Sequence, residues 1–107
     1  AFIKNAHGDE ELARDVADAF LIETPGIFRE LERAIESEDS VIANRCSHTI
    51  KGSLRTLAAP AFTIAAAIEA ASHGNDWETC RSKLVELNKL FPKIIAGVKE
   101  KLESPFE

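Results

Sequence analysis

Apolar residues recur every three or four positions along almost the whole chain, and each interruption of that rhythm is only a few residues long. A stripe with this period runs down one side of an α-helix, whereas a half-buried strand alternates with period two. Interruptions this short make consecutive helices antiparallel neighbours. The turn residues agree, since five Gly and four Pro in 107 residues are too few for a sheet with many hairpins. With 45% hydrophobic and 29% charged residues the chain can fill one core and is too apolar for a disordered segment. The expectation is one all-α domain over residues 1–107, with residues 1–8 as a polar lead-in.

Caps and breakers divide the pattern. Asp9 can cap a helix with Glu10 and Glu11 in its first turn and Leu12, Val16, Ala19 and Phe20 as its stripe, ending near Glu23. Thr24-Pro25 reads as a cap followed by proline at the first helical position, opening a second helix marked by Ile27, Phe28, Leu31, Ala34 and Ile35. Asp39 or Ser40 caps a third, whose apolar positions are Ile42, Ala43, Cys46, Ile50, Leu54 and Leu57; Ala58-Ala59-Pro60 ends it. A fourth runs from about Pro60 to His73, and Gly74 supplies a left-handed C-cap. Asn75 or Asp76 starts the last, with Trp77, Cys80, Leu84, Leu87, Phe91, Ile94, Val98 and Leu102 in step and a kink at Pro92. The predicted architecture is an antiparallel up-and-down four-helix bundle with an additional N-terminal helix packed across one end.

Composition narrows the function classes. Thirteen Lys and Arg against eighteen Asp and Glu give a net charge of -5, which leaves no broad basic surface for nucleic acid or anionic lipid. No apolar run reaches membrane-spanning length and no signal peptide opens the chain, so no membrane contact and a cytoplasmic location are expected. Cys46 and Cys80 lie far apart in apolar surroundings and read as small buried groups rather than a disulfide framework or metal site. The absence of Met, even at position 1, leads to the expectation of a fragment of a longer polypeptide. No glycine-rich nucleotide loop is present, so autonomous kinase activity is not expected.

The third predicted helix carries the chemistry. At about 100° per residue, His48 points roughly 160° away from Ile50 on the core stripe, so its imidazole faces solvent. Asn44, Lys51, Gly52 and Arg55 share that outward sector, and Val41 also lies opposite the stripe. Taken singly, each charged residue here is an ordinary solvated side chain. Gly52 resists that reading, because a glycine inside a helix costs about 1 kcal/mol relative to alanine. It offers an open approach over the imidazole, four residues earlier on the same face. Metal ligation has little support, since His7 and His73 lie elsewhere and no His or carboxylate follows at the i+4 spacing. Ser47 and Ser53 are not spaced for a hydrolytic triad with His48. A phosphate-accepting histidine fits better: an imidazole nitrogen is a competent nucleophile, and Lys51 can balance phosphoryl charge from one turn away.

The run Ser47-His48-Thr49-Ile50-Lys51-Gly52-Ser53, with Leu57 and Ala59 after it and Ile68-Glu69 further on, resembles the histidine phosphotransfer (HPt) domain of bacterial phosphorelays. That family's pattern is His, two residues, Lys-Gly-Ser, then Leu-Gly-Ala, then an apolar residue followed by Glu or Gln. The resemblance covers nearly the whole chain and implies a phosphoryl carrier, in which His48 takes the group from one receiver-domain aspartate and passes it to another. It implies receiver domains as partners, with magnesium on the receiver and no cofactor on this domain, which is expected to be a monomer in isolation. It fits a domain of a hybrid sensor histidine kinase or a free-standing phosphotransfer protein alike. Gly52, Asn44, Arg55 and Val41 would form the docking and access face. Two departures stand out: Ala58 replaces the usual glycine, and the connection before the fourth helix is one residue shorter. Glu69 is accordingly either a solvated helix glutamate or the acceptor of a hydrogen bond from His48 Nδ1–H. His73 is either a cation favoured at a helix C-terminus or the counterpart of an arginine in some relatives. The alternative from a different class is a helical protein-interaction module without phosphate chemistry.

Overall fold

The computed structural model describes the backbone of residues 2–57 and 59–103, with the side chains of residues 14–57, 59–100 and 102. Ala58 lies outside these residues, as do the side chains of Leu12 and of the expected cap at Asp9. The described residues form four helices: α1 (Phe2–Glu36), α2 (Ser40–Thr56), α3 (Phe62–His73) and α4 (Trp77–Glu103). The described residues form no strand. Each helix packs on its neighbours in the chain, α4 closes back on α1, and among the described residues the diagonal pairs show no close backbone approach. Contacts across the α1–α4 and α2–α3 interfaces run in opposite directions along the two helices. Arg14 reaches the Leu102 carbonyl (3.3 Å) while Phe28 stacks on Phe91, and Asn44 meets Glu69 while Arg55 lies over Phe62. One contiguous core joins all four helices, with Leu31, Ile35, Ile50, Leu54, Ile68 and Leu87 fully buried.

The first two predicted helices are a single one, so no separate N-terminal helix crosses the end of the bundle, and residues 2–8 are helical rather than a lead-in. Pro25 lies inside α1. Proline withholds the N–H that would reach the Leu21 carbonyl and costs about 3 kcal/mol in a helix interior. The helix passes through because Ala17, Phe20, Thr24, Phe28, Leu31 and Ile35 are all buried on one continuous face. Their spacing keeps helical phase across the proline, and a break there would strand half of that face. Pro92 is likewise carried inside α4, next to Phe91, which packs on Phe20 (6.3 Å between ring centroids) and Phe28 (4.7 Å).

Local capping chemistry sets the turns. Glu38 takes a left-handed conformation (φ 56°), and the Asp39 N–H reaches back to the Ala34 carbonyl (2.8 Å), closing α1 as a Schellman motif. Asp39 then caps α2 by accepting from Ile42 N–H at 3.1 Å. After α3 the left-handed residue is Asn75 (φ 58°), not Gly74, whose φ is -92°. The helix ends at His73 as expected, but the left-handed turn falls one residue later, and Asn is the side-chain-bearing residue that best tolerates this conformation. Asp76 caps α4 through Thr79 N–H (3.2 Å) and the Thr79 hydroxyl (2.7 Å), which hold its carboxyl below the usual range. α3 itself begins at Phe62, two residues after Pro60, with no side-chain cap. No helix among the described residues is long and apolar enough to cross a membrane.

Candidate functional site

The outward face of α2 carries the residues that its periodicity selects. Ala43, Cys46, Ser47, Ile50 and Leu54 turn inward, so Val41 (73% exposed), His48, Gly52 and Arg55 face out. His48 keeps 67% of its side-chain surface. Its Nδ1 lies 2.7 Å from Glu69 Oε2 on α3, and the other carboxylate oxygen, Oε1, lies 2.6 Å from Lys51 Nζ. The two openings left for Glu69 resolve in favour of contact with His48. His73, one turn further along α3, is exposed and makes no such contact among the described residues.

The electrostatics of this trio fix the ring's proton. The Lys51 ammonium, hydrogen-bonded to Glu69, is the main cause that holds the Glu69 carboxyl below its ordinary value, with the His48 contact adding to it against partial burial. A carboxylate held ionised can only accept hydrogen bonds, so the ring nitrogen facing it carries the hydrogen. A neutral His48 is thereby the Nδ1–H tautomer, and the lone pair sits on Nε2 at the far side of an exposed ring. Lys51, expected as an open cation on the ridge, is only 22% exposed and spends one of its three N–H donors on Glu69.

The remaining predicted residues divide. A Cβ built on Gly52 would meet nothing within 4 Å, so the space over the helix at this point is open. Arg55 places its guanidinium 5.6 Å from the Phe62 ring centroid, a cation–π contact that ties it to α3. Asn44 is half-buried and donates from Nδ2 to the Glu69 carbonyl at 3.0 Å, crossing from α2 to α3 instead of standing free on the ridge. Ser72 donates to the same carbonyl at 2.9 Å. Sequence reasoning missed Ser72 and the joint hold on Glu69. A serine three residues after a helical glutamate is a local signal for the first, whereas the second needs the register of two helices.

Both cysteines are free and buried. Burial, aided by Glu30, pushes the Cys46 thiol up to about 11, and its S–H points to Glu30 Oε1 at 3.4 Å. Burial also raises Cys80, whose S–H faces the Ile68 carbonyl. Among the described residues no three His, Cys, Asp or Glu side chains gather into a metal-binding group.

The arrangement is thus an exposed imidazole with a fixed tautomer, an ammonium one turn away and an unobstructed approach. Comparison with protein families gives a match to the Hpt domain over residues 15–100. No curated protein and no solved structure matches significantly. The matched segment holds α2, α3, nearly all of α4 and residues 15–36 of α1. By this match the chain belongs to the Hpt domain family, whose chemistry is histidine phosphotransfer in phosphorelays.

Proposed function

We propose that this chain is a phosphorelay carrier in which His48 accepts a phosphoryl group from a receiver-domain aspartate and hands it to another. The observation that carries this reading is the 2.7 Å contact between His48 Nδ1 and Glu69 on a ring that stays 67% exposed. In the forward step the Nε2 lone pair attacks phosphorus, the N–P bond forms, and the P–O bond to the aspartate breaks with the electron pair leaving on its carboxylate. The hydrogen on Nδ1 stays where it is, facing Glu69, so no proton has to move during transfer. The phosphorylated ring then carries the positive charge that Glu69 is placed to offset, and the return step starts from the same species. Lys51 has two N–H donors left after its bond to Glu69, and these serve the phosphoryl oxygens. The receiver brings magnesium, the acyl phosphate and the acceptor aspartate. Such a carrier works in the cytoplasm, as a domain of a sensor histidine kinase or as a separate protein.

The test is incubation with a panel of phosphorylated receiver domains. The expected result is a label on His48 that is acid-labile and alkali-stable, absent in His48→Gln and retained in His73→Gln. A folded wild-type protein that no receiver labels, or a label that survives His48→Gln, overturns the reading and leaves a helical interaction module.

A further inference from the structure

Glu69 is held from both ends by one face of α2. In an α-helix the carbonyls point toward the C-terminus while the Cα–Cβ bonds lean toward the N-terminus. Because α3 runs antiparallel to α2, the Glu69 carbonyl points back along α2 to Asn44 and its side chain leans forward to His48 and Lys51. Asn44, His48 and Lys51 are spaced four and three residues apart, so they share a single face. Among the described residues, every hydrogen bond that crosses from α2 to α3 ends on Glu69.

α3 has few other directional contacts with α2: its start has no side-chain cap, and Ala65, Ala66, Ala67, Ala70 and Ala71 carry no hydrogen-bonding side chain. A slide of one residue along the axis is 1.5 Å, enough to weaken or break a bond of 2.7 Å according to the bond's angle to that axis. The Asn44 amide, 3.0 Å from the Glu69 carbonyl, opposes that slide at the residue whose carboxylate must not move.

We infer that Asn44 is a positioning residue: by holding the Glu69 backbone in register it keeps the carboxylate on His48 Nδ1 and so keeps Nε2 available as the nucleophile. Its consequence for transfer rests on the carrier reading above; its consequence for the ring does not. Asn44 is therefore assigned a task inside the protein rather than a contact on the docking face.

The experiment is a long-range proton–nitrogen NMR spectrum of the His48 imidazole in the free protein at about pH 9, where an imidazole is neutral and lysine still charged. Wild type should show a pyrrole-like Nδ1 and a pyridine-like Nε2. Asn44→Leu, close in shape but without the donor, should shift both signals toward a mixture of tautomers, and Asn44→Gln should restore part of the wild-type pattern. In a Glu69→Ala background, which loses the pattern by itself, Asn44→Leu should add nothing, as expected for a residue that acts through Glu69. In transfer assays Asn44→Leu should lower kcat by about three- to tenfold, the span of one net hydrogen bond, with KM for the receiver unchanged. A wild-type imidazole spectrum in folded Asn44→Leu, or an effect confined to KM, overturns the inference. If the spectrum shifts as stated but no receiver labels His48, the positioning role stands and the carrier reading falls.

Discussion

A methyl group added at Gly52 meets open space, and no glycine in the described chain has a positive φ, so nothing in the fold requires glycine there. Gly52→Ala should raise stability by about 0.5–1 kcal/mol through reduced backbone entropy in the unfolded chain, read as a higher Tm. Gly52→Gln should fold as well, yet its side chain projects over the imidazole where a receiver aspartate must come within bonding distance, so transfer should fall steeply. Normal transfer by the Gln variant removes the access role, and an Ala variant that melts below wild type shows a packing role instead. Lys51 gives a prediction in pH. Its ammonium holds the Glu69 carboxyl below the ordinary 4.5, and a carboxyl depressed in the folded state stabilises the fold above its unfolded value. That contribution is lost as pH falls from 4.5 through the lower folded value. Urea melts across this acid range should therefore show a shallower loss of stability in Lys51→Ala than in wild type. Equal slopes would mean that the pair is not linked to folding.

Along α1, the proline and the apolar stripe give opposite instructions, and the stripe wins. Reading Thr24-Pro25 as a new start applies a sound local rule, but Phe20, Thr24 and Phe28 stay in phase across it and all three are buried. Pro25→Ala restores an N–H for the Leu21 carbonyl and should raise stability by about 1–3 kcal/mol in denaturant melts. A lower midpoint would show that Pro25 itself helps to seat Phe28 against Phe91. The same contrast explains what was legible in the sequence. The outward ridge of α2 follows from one helix's period, and the cap at Asp39 and the start at Asp76 follow from side-chain chemistry within three residues. The contact of Glu69 with His48 spans 21 residues and two helices, so it depends on interhelical register, which no single-helix pattern encodes. Gly74 and Asn75 show the limit of boundary reading: either could take the left-handed turn, and where α3 stops decides which one does.

Across the whole molecule the helices are unequal: α1 and α4 have 35 and 27 residues, α2 and α3 only 17 and 12. The short pair carries His48, Lys51 and Glu69, while the long pair is tied by Phe20, Phe28 and Phe91. With a net charge of -5 the surface has no broad positive field to steer an acidic receiver, so on the carrier reading docking is expected to draw on apolar contact at the ridge. Val41 is 73% exposed, two turns before His48 on the same face, and Val41→Lys should weaken receiver binding by about fivefold or more in titration calorimetry. Unchanged affinity would take this end of α2 out of the contact. The division of labour between the pairs gives the last prediction. Phe91 is half-buried between Phe20 and Phe28, so Phe91→Ala leaves a void and forfeits both ring contacts, at a cost of roughly 2–4 kcal/mol. For a domain of this size that corresponds to a Tm lower by about 10–20 °C. Among the described residues the diagonal helices make no close backbone approach, and the hydrogen bonds on Glu69 involve only α2 and α3, so the His48 imidazole spectrum should stay that of wild type at temperatures where the variant is folded. A tautomer shift in Phe91→Ala would mean that the register of α2 on α3 is set through the long helices. An unchanged spectrum with the lower Tm means that the long pair sets how firmly the bundle holds, and the short pair sets what its histidine can do.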